Sequence, residues 1–188
     1  MKRYGADRDK EIQRLLQEMP EEGFRLLFDV YHMQLCVYVV QLTDSFQLAE
    51  DIVQDFFVAF WERKYYRAIT GNFRSYLYTS VHNAALAVLK KKNLVPMELL
   101  TGVPVEIPQE AVLEREELER QEKELMLKLE KLPKQEIAAI KAVILENKKC
   151  VEAALELGMS VNTLKTHLAR ALKKLRKDYH LSFLFYSF

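Results

Sequence analysis

The chain has 188 residues, of which 49% are hydrophobic and 29% charged, and a formal net charge of +1. That length holds one medium core or two small ones, while scarce strand-like alternation, few glycines and prolines, and abundant Leu, Ala, Glu, Lys and Gln predict an all-α fold. No apolar run approaches the roughly 20 residues of a membrane span, no secretory core follows the charged start Met1-Lys2-Arg3, and the isolated thiols Cys36 and Cys150 lack disulfide or metal spacing. The expectation is a cytoplasmic protein with no membrane attachment, no metal and no cofactor.

A short helix near Asp9 to Glu18 opens the chain. Residues 24–42 then place Phe24, Leu27, Phe28, Tyr31, Leu35, Tyr38, Val39 and Leu42 at the spacing of a helix with one buried face. The next helix runs from about Phe46 to Arg63, and Asp44 with Gln47 has capping-box spacing ahead of it. At about 100° per residue, Ile52, Val53, Phe56, Phe57 and Phe60 share one arc, and Asp51, Gln54 and Asp55 cluster opposite. Alone, those three polar groups read as the solvated face of an amphipathic helix. After Gly71-Asn72 a further helix, from about Phe73 to Lys92, is expected to bury Phe73, Leu77, Val81, Ala84 and Val88.

Residues 93–112 collect three of the five prolines and a glycine without clear periodicity, which reads as a linker. Helical pattern resumes at Leu113 with an acidic run and continues to Leu132-Pro133. Three more helices follow in "KQEIAAIKAVILE", "KKCVEAALELG" and "SVNTLKTHLARALKKLRK". The predicted architecture is two small helical bundles, 1–92 and 113–188, joined by the linker 93–112.

Charge distinguishes the two ends. Residues 1–92 hold 13 Lys/Arg against 12 Asp/Glu, residues 93–127 hold 3 against 9, and residues 128–188 hold 12 against 6. The basic C-terminal part is the electrostatic candidate for nucleic acid. Its local grammar agrees: a helix ends at Gly158, which can adopt positive φ, and Ser160 can cap the next helix, as in a helix-turn-helix. In that second helix Val161, Leu164, Leu168, Ala171 and Leu175 should point inward. Asn162, Thr163, Lys165, Thr166, Arg170, Lys173 and Lys174 face largely outward, and these side-chain types suit a major groove. An ordinary helical hairpin with a basic face is the plainer alternative; Thr163 can serve the helix start, and His167 can sit at the core's edge.

Taken together, "LTDSFQLAEDIVQDFFVAFWERK", "FRSYLYTSVHNAALAVLKKK" and "LGMSVNTLKTHLARALKKLR", in this order and joined by a linker, resemble a bacterial sigma factor of the extracytoplasmic-function type over about residues 20–178. The resemblance implies a chain without catalytic activity whose partners are core RNA polymerase, at the clamp helices of its largest subunit and its flap region, and promoter DNA, with an anti-sigma protein left open. It assigns Asp51, Gln54 and Asp55, with Phe57 or its neighbours adding apolar contact, to polymerase docking. It assigns the connection from about Lys64 to Phe73 to the minus-ten element, where a flipped base is held. Lys64, Arg67, Asn72, Arg74, His82 and Asn83 are the candidate contacts there, together with Arg63 and the aromatics Tyr65, Tyr66 and Phe73; core packing is the alternative for Phe73 and for Tyr76. The helix-turn-helix would read the minus-thirty-five element through Asn162, Thr163, Lys165, Thr166, Arg170, Lys173 and Lys174.

Some positions depart from the family pattern. His82 and Ala87 stand where an arginine and an aspartate are common, Lys148-Lys149-Cys150 replaces a small capping residue, and the tail Leu181-Ser182-Phe183-Leu184-Phe185-Tyr186-Ser187-Phe188 is unusually aromatic. The alternative function is a helix-turn-helix regulator that acts without being a polymerase subunit. Four scattered histidines, with no Gly-rich phosphate loop or nucleophile elbow, offer no active site for an enzyme.

Overall fold

The computed structural model describes residues 4–69, 71–92, 120, 123–124, 126–146 and 148–176, and every regular element among them is helical. In chain order these are α1 (Tyr4–Glu18), α2 (Pro20–Thr43), α3 (Phe46–Glu62), a 3-10 turn (Tyr65–Arg67) and α4 (Phe73–Lys91). Then come α5 (Lys134–Ile140), a π-helical continuation (Lys141–Leu145), α6 (Cys150–Glu156) and α7 (Val161–Arg176). Two compact units result, Met1–Val39 with Leu48–Ile107 and Val40–Gln47 with Pro108–Phe188. The expected linker 93–112, the acidic stretch after Leu113 and the aromatic tail lie outside the described residues.

In the first unit, α1 is longer than the short helix expected and buries Ile12 and Leu16. Proline at the first position of α2 costs no intrahelical bond, and Glu21 and Glu22 in its first turn complement the helix dipole. By length and composition alone α2 could cross a membrane, but Leu27, Tyr31, Leu35, Val37 and Val39 are buried inside the protein, so it is a core helix. Gly23 lets α1 and α2 touch: a Cβ there would lie 2.4 Å from Leu16 N and 2.6 Å from Leu15 C.

Two local expectations change. Helix α3 begins at Phe46 and Asp44 adopts φ 53°, so Ser45, not Asp44, stands at the cap position. On α4 the buried residues are Phe73, Leu77, Tyr78, Val81, His82, Ala85 and Leu89, whereas Ala84 and Val88 are half-buried. Steps of four residues advance about 40° each, so the buried stripe wraps around the helix instead of running straight along it.

In the second unit Pro133 occupies the N-cap of α5. The helix then widens: Glu146 N–H donates to Lys141 O at 2.8 Å and Lys148 N–H to Ala142 O at 3.0 Å. Wider turns of this kind accompany three consecutive buried residues here, Ala142, Val143 and Ile144, a pattern that a 3.6-residue period does not predict.

Candidate nucleic-acid and protein interfaces

Helix α3 is two-faced because its aromatic arc is fully used. Phe57 is 2% exposed, with ring centroids 5.9 Å from Phe24, 5.0 Å from Phe28 and 5.4 Å from Phe56. It is a core residue, which corrects its expected place in a partner contact. Opposite it, Asp51, Gln54 and Asp55 are exposed at the spacing of one helical turn. The adjoining apolar group is its neighbour Val58, 55% exposed, which continues the same face.

The connection between α3 and α4 reverses direction at Lys64, which takes the left-handed conformation at φ 53°. Arg67 N–H donates to Lys64 O and Ala68 N–H to Tyr65 O, each at 3.0 Å, closing the 3-10 turn. Tyr66 is buried there, stacked on Trp61 at 6.0 Å with an interplanar angle of 27°. Tyr65 is exposed, and its hydroxyl accepts a hydrogen bond from Arg63 Nη1 at 3.0 Å. Of Tyr65, Tyr66 and Phe73, Tyr65 is therefore the one presented to solvent, since Phe73 is 3% exposed and packs edge-on against Tyr31. Lys64, Arg67 and Asn72 are exposed, and Asn72 Oδ1 also caps α4 by accepting the Ser75 N–H at 2.8 Å.

Two expected DNA contacts on α4 are placed elsewhere. Arg74 is largely enclosed: its Nε donates to the Tyr31 hydroxyl at 3.2 Å and lies 3.6 Å from Asp9 Oδ2, and the Tyr31 hydroxyl in turn donates to Asp9. Burial, opposed by the Arg74 charge, pushes the Tyr31 hydroxyl well above the ordinary tyrosine range, so it stays protonated as a donor. His82 is 1% exposed and its Nδ1 is 2.8 Å from the Tyr38 hydroxyl, inside the bundle and out of reach of a strand. Asn83, its neighbour, is exposed.

The joint between α6 and α7 has the geometry that its sequence predicts. Gly158 adopts φ 63°, and Met159 N–H donates to Ala154 O at 3.0 Å, the Schellman pattern of a helix C-terminus. Ser160 Oγ accepts the Thr163 N–H at 3.1 Å and so caps α7; its hydroxyl also lies 2.8 Å from the Thr163 hydroxyl. Ala153 and Ala154 are buried against α7, whose Leu164, Leu168, Ala171, Leu172 and Leu175 form the inner face.

Asn162, Thr163, Thr166, Arg170 and Lys173 are exposed on the outer face of α7, while Lys165 and His167 are half-buried. Thr166 Oγ1 donates back to Asn162 O at 2.9 Å, which sets its rotamer. Lys174, expected at DNA, instead donates to both carboxylate oxygens of the buried Glu136 at 2.9 Å. At the start of α6, Lys149 makes no side-chain cap. The neighbouring Lys148 straps the helix by ion pairs of 2.7 Å to Glu146 and 2.5 Å to Glu156, and the hydrogen bonds it donates to these carboxylates push its ammonium pKa up.

Among the described residues no group of three or more His, Cys, Asp or Glu is arranged to hold a metal ion. Residues 27–94 match the family model described as Sigma-70 region 2, and residues 122–175 match the one described as Sigma-70, region 4. No curated protein matches the chain significantly.

Proposed function

Since the chain belongs to the sigma-70 family of sigma factors, with its region 2 and region 4 both present, we propose that it is of the extracytoplasmic-function type and divides its outward groups among polymerase and two promoter elements. The chain is a non-enzymatic sigma factor that recognises minus-ten and minus-thirty-five elements. A regulator acting without polymerase gives way, because such a protein has no use for region 2. Residues 95–121 between the matched spans are too few for a further folded domain, and this two-region composition supports the subtype.

Docking on the polymerase clamp helices falls to Asp51, Gln54 and Asp55, extended by Val58. The observation that carries this is the exposure of all four on one face of α3 while its other face is consumed by the core. In region 2, Lys64 and Arg67 track phosphates of the minus-ten strand, Tyr65 offers the stacking surface for an unpaired base, and Asn72 and Asn83 supply hydrogen bonds. Arg74 and His82 have no part in that contact. In region 4, Asn162, Thr163, Lys165, Thr166, Arg170 and Lys173 face the minus-thirty-five major groove. The bonds of Lys165 to Gln47 at 2.8 Å and of Lys173 to Asp44 at 2.7 Å lie at the surface and give way at little cost, whereas Lys174, paired with a buried carboxylate, holds α7 in place. The flap region is the natural partner of region 4, an anti-sigma protein is a further candidate partner, and the working compartment is the cytoplasm, where polymerase acts.

The test is transcription from a promoter library by core RNA polymerase with and without this protein, sequencing transcript starts. New starts that share two spaced upstream elements are expected, and deleting region 4 should remove the dependence on the minus-thirty-five element. Absence of new starts with folded protein and active core would sink the assignment of these surfaces.

A further inference from the structure

Helix α1 lies before residue 27, where the match to region 2 begins, yet it is fastened to both ends of the connection proposed to hold the flipped base. Gln17 Nε2 donates to the backbone carbonyl of Tyr66 at 3.0 Å. That carbonyl belongs to the peptide joining Tyr66 to Arg67, so fixing its plane constrains the backbone from which the exposed Arg67 leaves and holds the turn that the exposed Tyr65 opens. At the far end, Asp9 accepts from Tyr31 and pairs with Arg74, which ties the first turn of α4 to α1 and α2. Helix α1 is itself held against α2 at Gly23, where no side chain fits, and by the buried Ile12 and Leu16.

We infer that α1 preorganises the minus-ten reading connection, with Gln17 and Asp9 as positioning residues for base capture. This rests on the proposed role of that connection. The physical reason is entropic. The connection is entered through a left-handed non-glycine residue, Lys64, and ordering its exposed part only when DNA arrives would subtract from binding. Gln17 makes its hydrogen bond before DNA arrives, and Asp9 turns the Arg74 guanidinium inward to brace the helix that follows.

The experiment uses the full chain bound to core RNA polymerase and a promoter fragment with a single-stranded minus-ten element, made abasic at one position at a time. In the wild type, affinity should fall at the position whose base is captured. Gln17→Met keeps the length of the side chain and removes the donor. It should shrink that position-specific loss about fivefold, the factor that one net hydrogen bond supplies, while core affinity and thermal unfolding change little. Asp9→Ala should act in the same direction. If either variant weakens all fragments alike, leaving the abasic ratio unchanged, α1 is only a structural prop and the inference is overturned. A wild-type chain indifferent to every abasic position would instead overturn the base-capture role of the connection, and this inference with it; the two failures appear in different proteins.

Discussion

Lys174 Nζ lies 2.9 Å from each carboxylate oxygen of Glu136, and the two ends of this pair differ in environment: the Glu136 side chain is 6% exposed and that of Lys174 51%. The carboxylate is the dependent partner, because it has lost its water and the ammonium has not. Lys174→Ala should therefore destabilise the second unit by about 1–2 kcal/mol, within the range for an uncompensated buried polar group and below that for a fully buried pair. Denaturant unfolding reads this. The same variant should leave the salt dependence of promoter binding almost unchanged, whereas Arg170→Ala should lower the slope of log affinity against log salt by about one. Equal slopes for the two variants would return Lys174 to the DNA contact.

On α3, the double variant Asp51→Ala, Asp55→Ala should weaken binding to core polymerase while changing stability by less than about 0.5 kcal/mol, as outward charges do. Phe57→Ala should show the opposite profile, costing about 3–5 kcal/mol through the cavity it leaves. Polymerase titration beside chemical denaturation separates the two; unchanged polymerase affinity in the double variant would refute the docking assignment.

Gly23→Ala sets two effects against each other. Alanine improves helix propensity by about 1 kcal/mol, but its Cβ would fall 2.4 Å from Leu16 N, backbone that cannot rotate aside. Overpacking of this kind costs about 1–3 kcal/mol and separating α1 from α2 costs buried area besides, so the net result should be a lower unfolding midpoint. A raised midpoint would mean that α1 is not seated where the structure has it.

His32 supplies a pH dependence. Burial, partly opposed by Glu50, holds its pKa below the ordinary value of 6.5, and its ring stacks on Phe28 at 4.5 Å. The unfolded chain binds the proton more readily, so folding stability should fall as pH drops below 6.5 and level off beneath the folded pKa. Denaturant midpoints at several pH values between neutral and acidic should show this decline, and His32→Gln should flatten it. An unchanged decline in the variant would assign it to other groups.

What the sequence by itself determined is what local rules govern. Helical periodicity located α2, α3 and α7 to within a few residues, Gly158 and Ser160 specified their joint through backbone conformation and capping, and the polar face of Asp51, Gln54 and Asp55 followed from 100° steps. Those features depend on residues a few positions apart, and chain order preserves such information. The tertiary structure alone decided which side chains were already engaged. Phe57 is on the apolar arc either way, but only its packing against Phe24 and Phe28 shows that none of it remains for a partner. Arg74, His82 and Lys174 looked like groups for DNA because their types suit it; Asp9, Tyr38 and Glu136, which claim them, are 65, 44 and 38 residues away in the chain. The widened turn after α5 and the hold of Gln17 on Tyr66 are likewise settled by contacts that arise only when distant segments pack, because a charged or polar group goes to whichever partner the fold brings nearest.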